Sequence, residues 1–277
     1  MLKFEASFAA AENPALVSVA VLEVRSEGSV ARVRLRRPEV RNAFNARLIG
    51  ELTECFQSLA QDSKVRVVVL SGEGKTFCGG ADINWMRDSL DLSKEDNVAD
   101  ARRMSVMFRT IDRCPKPVIA SIHGAALGGG AGLAAVCDIA IAEAGTQFGF
   151  TETKLGILPA VISPFVLAKI GSSHARALFL TGERFGAQRA LHIGLVHEIS
   201  AEDALERAVA RVCEELRSAA PNAIAAAKQT IAQIGEATYD ATLDLTADII
   251  AKQRTSAEGQ EGLRAFLERR KANWIVD

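Results

Sequence analysis

The stretch Pro117–Leu133 constrains this chain more than any other. A short apolar run, Val118–Ile122, passes through His123-Gly124-Ala125-Ala126-Leu127 into Gly128-Gly129-Gly130-Ala131-Gly132-Leu133, so a strand feeds a helix through a turn almost free of side chains. Small residues let a ligand come up against the backbone, and the first amides of a helix have no internal acceptors. Free N–H groups and the helix dipole together favour negative charge at that end. A second bare turn, Phe77-Cys78-Gly79-Gly80-Ala81-Asp82, follows the β-branched run Val65–Leu70. Two such turns can aim two backbone donors at one oxygen, an oxyanion hole, in which a single donor is worth ~3–4 kcal/mol. Either turn by itself is equally an ordinary tight turn.

Strand and helix signals alternate around these turns. Val30–Leu35 alternates apolar and basic residues, as a half-exposed strand does, and Pro38 breaks it. Ala46–Leu59 has helical spacing at Leu48, Ile49, Leu52, Cys55, Phe56 and Leu59. Val65–Leu70 reads as a buried strand closed by Ser71-Gly72. The polar stretch Asp88–Asp100 precedes a helix expected over Ala101–Cys114, which Pro115 and Pro117 end. Val118–Ile122 and Asp138–Ala142 are the next strands. This alternation predicts an α/β core with crossover connections. From Ala204 onward Ala, Glu, Arg and Lys dominate, which predicts an all-helical segment from about Ala201, broken mainly at Pro221. The chain thus divides into a loosely ordered extension (1–20), a core (21–200) and a helical region (201–277).

Composition narrows the function classes. A chain of 277 residues buries a core without disulfide or metal support. Lys+Arg 33 against Asp+Glu 34 argues against a dedicated nucleic-acid binder. Cys55, Cys78, Cys114, Cys137 and Cys213 are dispersed with no CxxC pair, as reduced thiols of a cytosolic-type protein are, and structural zinc is not expected. No apolar run of about 18 residues is present to span a membrane. Glu5 and Glu12 make the first twenty residues a poor signal or transit peptide, so the expected location is cytoplasmic. Nucleotide motifs fail in detail. Gly74-Lys75-Thr76 ends like a P-loop but has Val69 where the first glycine belongs, and GxGxxG from Gly128 meets Leu133. No G-x-S-x-G is present. Of His123, His174, His192 and His197, none has metal-ligand spacing, and His123, at a strand end, is expected to be a structural hydrogen-bonder.

Five segments, with their spacing, resemble the enoyl-CoA hydratase/isomerase (crotonase) superfamily: Arg41-Asn42-Ala43-Phe44-Asn45, Phe77–Ile83, Pro117–Ala120, Gly124–Gly130 and Cys137-Asp138-Ile139-Ala140. The resemblance runs from about Leu22 to Arg264–Trp274. It implies an α/β fold, a crotonase-like spiral of ββα units, with a C-terminal helical trimerisation region and a homotrimer or hexamer. It also implies an acyl-coenzyme A thioester as substrate, with no separate cofactor and no metal.

The same resemblance assigns residues. The amides of Ala81 and Gly129 fall on the oxyanion-hole positions. The Arg41–Asn45 turn, with Arg41 and Ala43, and the Ala81–Asn84 segment, with Asp82 and Ile83, fall on the coenzyme A site. Gly80, Gly132 and Ala160 are further expected substrate-binding residues. Phe266 and Arg269 resemble the aromatic and basic pair that reaches a neighbouring subunit's ligand. The chain departs from the typical hydratase at its two glutamates: the first position is Gly132, and the second survives as Glu152, the expected acid–base residue. Gly132, Asn84-Trp85-Met86 and Ile157–Phe165 resemble the bacterial 3-methylglutaconyl-CoA hydratases of leucine breakdown and their isohexenylglutaconyl-CoA relatives. The expected reaction is hydration of a branched 2-enoyl-CoA. An isomerase working with one glutamate is the alternative, and an acyl-CoA- or RNA-binding module with a vestigial site is a third reading.

Overall fold

A computed structural model describes residues 17–19 and 21–275. Most of the 1–20 segment, expected as an extension, lies outside these residues; Val17–Val19 forms strand β1, which pairs antiparallel with β2 (Leu22–Glu27). The next strands are β3 (Val30–Leu35), β4 (Val67–Gly72), β5 (Val118–Ile122), β6 (Ala125–Leu127), β7 (Ile139–Glu143), β8 (Gln147–Gly149), β9 (Arg184–Gly186) and β10 (Glu198–Ser200). One sheet runs β1-β2-β3-β4-β5-β7-β10, with parallel pairing from β3 onward, and a small sheet runs β6-β8-β9.

Successive side chains in a strand point to opposite faces, and the central strands show it. Val68 and Leu70 join the larger core with Val118, Ala120, Ala140 and Ala142, whereas Val67, Val69, Ile119 and Ile141 pack on the other face. That second face is covered by α7 (Leu205–Ser218) through Leu205, Val209, Val212 and Cys213. The first is covered by α1 (Ala46–Gln61) and α3 (Lys94–Asp112), beyond the short α2 (Ile83–Asp88), and by α4 (Gly129–Val136) and α5 (Ser163–Thr181). Full burial of side chains such as Leu52, Phe56 and Leu70 is worth roughly 1.5–3 kcal/mol each. The remaining helices are α6 (Ala187–His192), α8 (Pro221–Glu236), α9 (Tyr239–Thr255) and α10 (Ala257–Leu267).

Three boundaries differ from expectation for local reasons. Helix α3 begins at Lys94, seven residues before Ala101, because the Ser93 hydroxyl accepts from Asp96 N at 3.0 Å and Glu95 and Asp96 suit the positive end of the dipole. Strand β4 begins at Val67 because Val65 N turns back to Asp62 O, and the amides of Arg66 and Val67 both reach Ser29 O. Strand β7 begins after Asp138, whose carboxylate accepts from Val118 N at 2.7 Å and from Lys228 at 2.6 Å. In the C-terminal region Pro221 opens α8, but further breaks fall at Ala237-Thr238 and at Ser256, which caps α10 through Gly259 N.

Candidate active site

The two bare turns meet. Cys78 N donates to Ala125 O and Leu127 N donates to Cys78 O, so the 77–82 turn runs alongside β6 into the N-terminus of α4. The approach is closer than side chains permit: a Cβ on Gly130 would lie 2.3 Å from Cys78 O, and one on Gly80 would lie 2.9 Å from Leu127 O. Gly80 and Gly128 also take φ of +97° and +52°, which side chains disfavour.

The free donors follow from the pairing. Phe44 N donates to Gly80 O and Asp82 N donates to Phe44 O, so this parallel bridge uses the groups flanking Ala81 and leaves the Ala81 amide facing the other way. Ala81 is exposed. Gly129 is the first residue of α4, where an amide has no partner within the helix. Gly128 N is taken by Gly149 O at 2.8 Å, which ties β8 to the same turn.

That tie brings in Glu152. Phe150, fully buried, packs edge-on to Phe179 with centroids 5.1 Å apart, and Glu152 then starts a 3-10 turn that Gly156 ends in the left-handed region. The Glu152 carboxylate lies against Gly128, where a Cβ would come 3.0 Å from Oε1. Its Oε2 is buried with no hydrogen-bond partner. Burial pushes its pKa above the ordinary carboxylate range, and its own backbone amide offsets part of that. A half-buried, unpaired carboxyl beside unsatisfied amides can move a proton while an adjacent oxygen gains charge.

The other sequence-derived residues differ in exposure and contacts. The Asp82 carboxylate is buried, pairs with Arg37 Nη2 at 2.7 Å and caps α2 by accepting from Asn84 N. Burial pushes the Asp82 carboxyl up, but the Arg37 and Asn84 hydrogen bonds outweigh it and hold the pKa below the usual value. At Gly132 a Cβ would lie 2.4 Å from Ile162 Cγ2 and 3.2 Å from Phe108 Cε1. Arg41, Ile83 and Ala160 are exposed and Ala43 is buried. Phe266 and Arg269 stand exposed at the far C-terminal end of α10. His123 donates through Nε2 to Gly74 O, a structural bond. Cys78 beneath the turn is buried, and burial pushes its thiol up to about 12.

Sequence reasoning missed Arg37 as the partner of Asp82 and Ile162 as the neighbour of Gly132. Ile162 lies 30 residues along from Gly132 and carries no polar signal. Arg37 could have been suspected from the single acid that closes the Gly79-Gly80-Ala81-Asp82 turn, since a buried charge needs a partner.

The enoyl-CoA hydratase/isomerase family model matches residues 25–276. The chain belongs to that family. A short-chain-enoyl-CoA hydratase of Clostridium acetobutylicum is 32% identical over 254 residues, covering 90% of this chain and 95% of that protein. Among solved structures, an enoyl-CoA hydratase of Shewanella pealeana superposes with a TM-score of 0.89 at 38% identity, covering 92% of this chain and 96% of that one. Pseudomonas aeruginosa AtuE gives a TM-score of 0.89 at 40% identity, covering 92% and 99%. The α/β architecture with a helical C-terminal region is therefore that of the family, and this member is an enzyme of the enoyl-CoA hydratase type. Among the described residues no group of three or more His, Cys, Asp or Glu side chains could hold a metal ion, and no helix is long and apolar enough to cross a membrane.

Proposed function

We propose that the chain hydrates a branched 2-enoyl-CoA, 3-methylglutaconyl-CoA foremost, to the 3-hydroxyacyl-CoA. The observation that carries the chemistry is the unpaired Glu152 carboxylate beside the α4 N-terminus. Glu152 takes a proton from water as the water oxygen bonds to C3, and the C2–C3 π electrons move onto the thioester oxygen. The amides of Ala81 and Gly129 receive that oxygen. Glu152 then returns the proton to C2, so one carboxylate closes the cycle. Support for the substrate comes from Gly132, Asn84-Trp85-Met86 and Ile157–Phe165, the features shared with 3-methylglutaconyl-CoA hydratases; an isohexenylglutaconyl-CoA substrate shares them too. Arg41 and Ala43 at the first turn, Gly80 and Ile83 at the second, and Ala160 are proposed contacts for coenzyme A and the acyl group. Phe266 and Arg269 are proposed to reach the ligand of a neighbouring subunit.

One observation favours an isomerase instead: a single carboxylate suffices to shuttle a proton between two carbons. Turnover in ¹⁸O-labelled water separates the two, since a hydratase places label in the product and an isomerase does not. A kinetic comparison with crotonyl-CoA and isohexenylglutaconyl-CoA tests the substrate, and a tenfold preference for either one would overturn 3-methylglutaconyl-CoA. The proposal includes a homotrimer or hexamer, because Ile231, Leu243, Ile250 and Leu267 on α8–α10 are exposed on the single chain. A monomer by light scattering at micromolar concentration would overturn the assembly.

A further inference from the structure

The turn that presents the Ala81 amide is held by side chains, and one of them touches both of its edges. Arg37 leaves β3 just before Pro38. Its Nη2 pairs with Asp82 at 2.7 Å, its Nη1 donates to Ala43 O, and its backbone N donates to Asn42 Oδ1 at 2.9 Å. The pair is buried, with side-chain exposures of 12% for Arg37 and 6% for Asp82. Asn42, wholly buried, completes the bracket by donating to Glu73 O at 2.9 Å and Thr76 O at 2.7 Å. The strip it steadies needs steadying: Arg41 and Asn42 take φ of 57° and 54°, the left-handed region that non-glycine residues enter at a cost.

The geometry shows what this bracket does. Ala81 sits between Gly80, which has no side chain, and Asp82, so Asp82 is its nearest side-chain handle. The backbone rungs on either side of Ala81 both run to Phe44, and the preceding rung runs from Gly79 N to Arg41 O. Arg37 ties Ala43, next to Phe44, to Asp82, next to Ala81. A buried ion pair contributes little net stability compared with apolar packing, which leaves geometry as the use to test for this one. We propose that Arg37 is a positioning residue, which through Asp82 and the Ala43 carbonyl sets the direction of the Ala81 amide and hence the donor strength of the oxyanion hole. This rests on the role given to Ala81 above.

The test measures direction rather than activity alone. Wild type, Arg37→Met, Arg37→Lys and Asp82→Asn are compared for kcat, KM, thermal midpoint and the carbonyl stretch of bound butyryl-CoA labelled with ¹³C at C1, a saturated thioester that does not react. Wild type should lower the stretch on binding. Arg37→Met should lose much of that shift and about 10–100-fold in kcat, with KM within about threefold, since one lost donor costs about 10²–10³. Arg37→Lys should recover part of both, and Asp82→Asn, which keeps an acceptor for Asn84 N, should resemble Arg37→Met. If Arg37→Met does not fold, Asp82→Asn and Arg37→Lys carry the same comparison. A folded variant with the wild-type stretch overturns the proposal, whatever its thermal midpoint. An unshifted stretch in wild type overturns the reading of Ala81 itself, and the two failures are distinguished by the protein in which they occur.

Discussion

On one side of the first turn of α4, a Cβ on Gly128 would come 3.0 Å from the Glu152 carboxylate, whereas on the other a Cβ on Gly132 would come 2.4 Å from an Ile162 methyl. Both positions are glycine for want of space, but the space goes to opposite chemistries. Beside Gly128 it admits a carboxyl that burial keeps protonated to a higher pH than usual. Beside Gly132 it is filled by hydrocarbon, with Phe108 behind. The missing first glutamate is therefore not an empty socket awaiting a side chain: the core has closed over it, which is why the proposed mechanism rests on Glu152 alone.

The largest effect should come from the Glu152 side. Glu152→Gln should lower kcat by at least ~10²-fold, the usual worth of a general acid–base group, with KM within a few-fold. Retention of more than about a tenth of wild-type turnover would put the base elsewhere and erase the contrast between the two sides.

Gly132→Glu probes the closed side. It drives a side chain into Ile162 and buries a charge, so the thermal midpoint should drop by on the order of 10 °C, given ~1–3 kcal/mol for overpacking plus the desolvation cost. Ile162→Ala in the same chain should recover at least half of that fall. A single variant as stable as wild type would show that the wall yields, and the comparison would fail there.

The pH profile sharpens the comparison at the Glu152 side. Because Glu152 must be ionised to accept a proton, kcat/KM should fall about tenfold per pH unit below its pKa, at a midpoint above the ordinary ~4.3 of a glutamate. A midpoint at or below that value would contradict the burial of Oε2.

The smallest effect is one of stability. The folded chain holds the Glu152 proton more tightly than the unfolded chain, so stability is full below the unfolded pKa and declines as pH rises through the folded one. Glu152→Gln should thus have a higher thermal midpoint than wild type at pH 8. The difference should vanish near pH 4. A variant less stable than wild type at pH 8 would show that the carboxylate is well satisfied after all.

Sequence patterns located the segments that carry backbone chemistry. A run such as Val118–Ile122 followed by glycines announces a strand, a turn and a helix start whatever surrounds it, and Val30–Leu35 and Val118–Ile122 fall on β3 and β5 residue for residue. Helix starts governed by a cap were less legible, since the cap at Ser93 sits inside a polar stretch that looks like a loop. What the sequence could not decide was direction. Nothing local to Asp82 names its partner Arg37, 45 positions earlier. Nothing local to Gly132 shows that Ile162, 30 positions later, packs against it. Residue identity and local spacing fix which groups are available and which backbone shapes they allow. Where a carboxylate points, and whether a glycine faces ligand or core, depends on partners dozens of residues away that only folding brings within 3 Å.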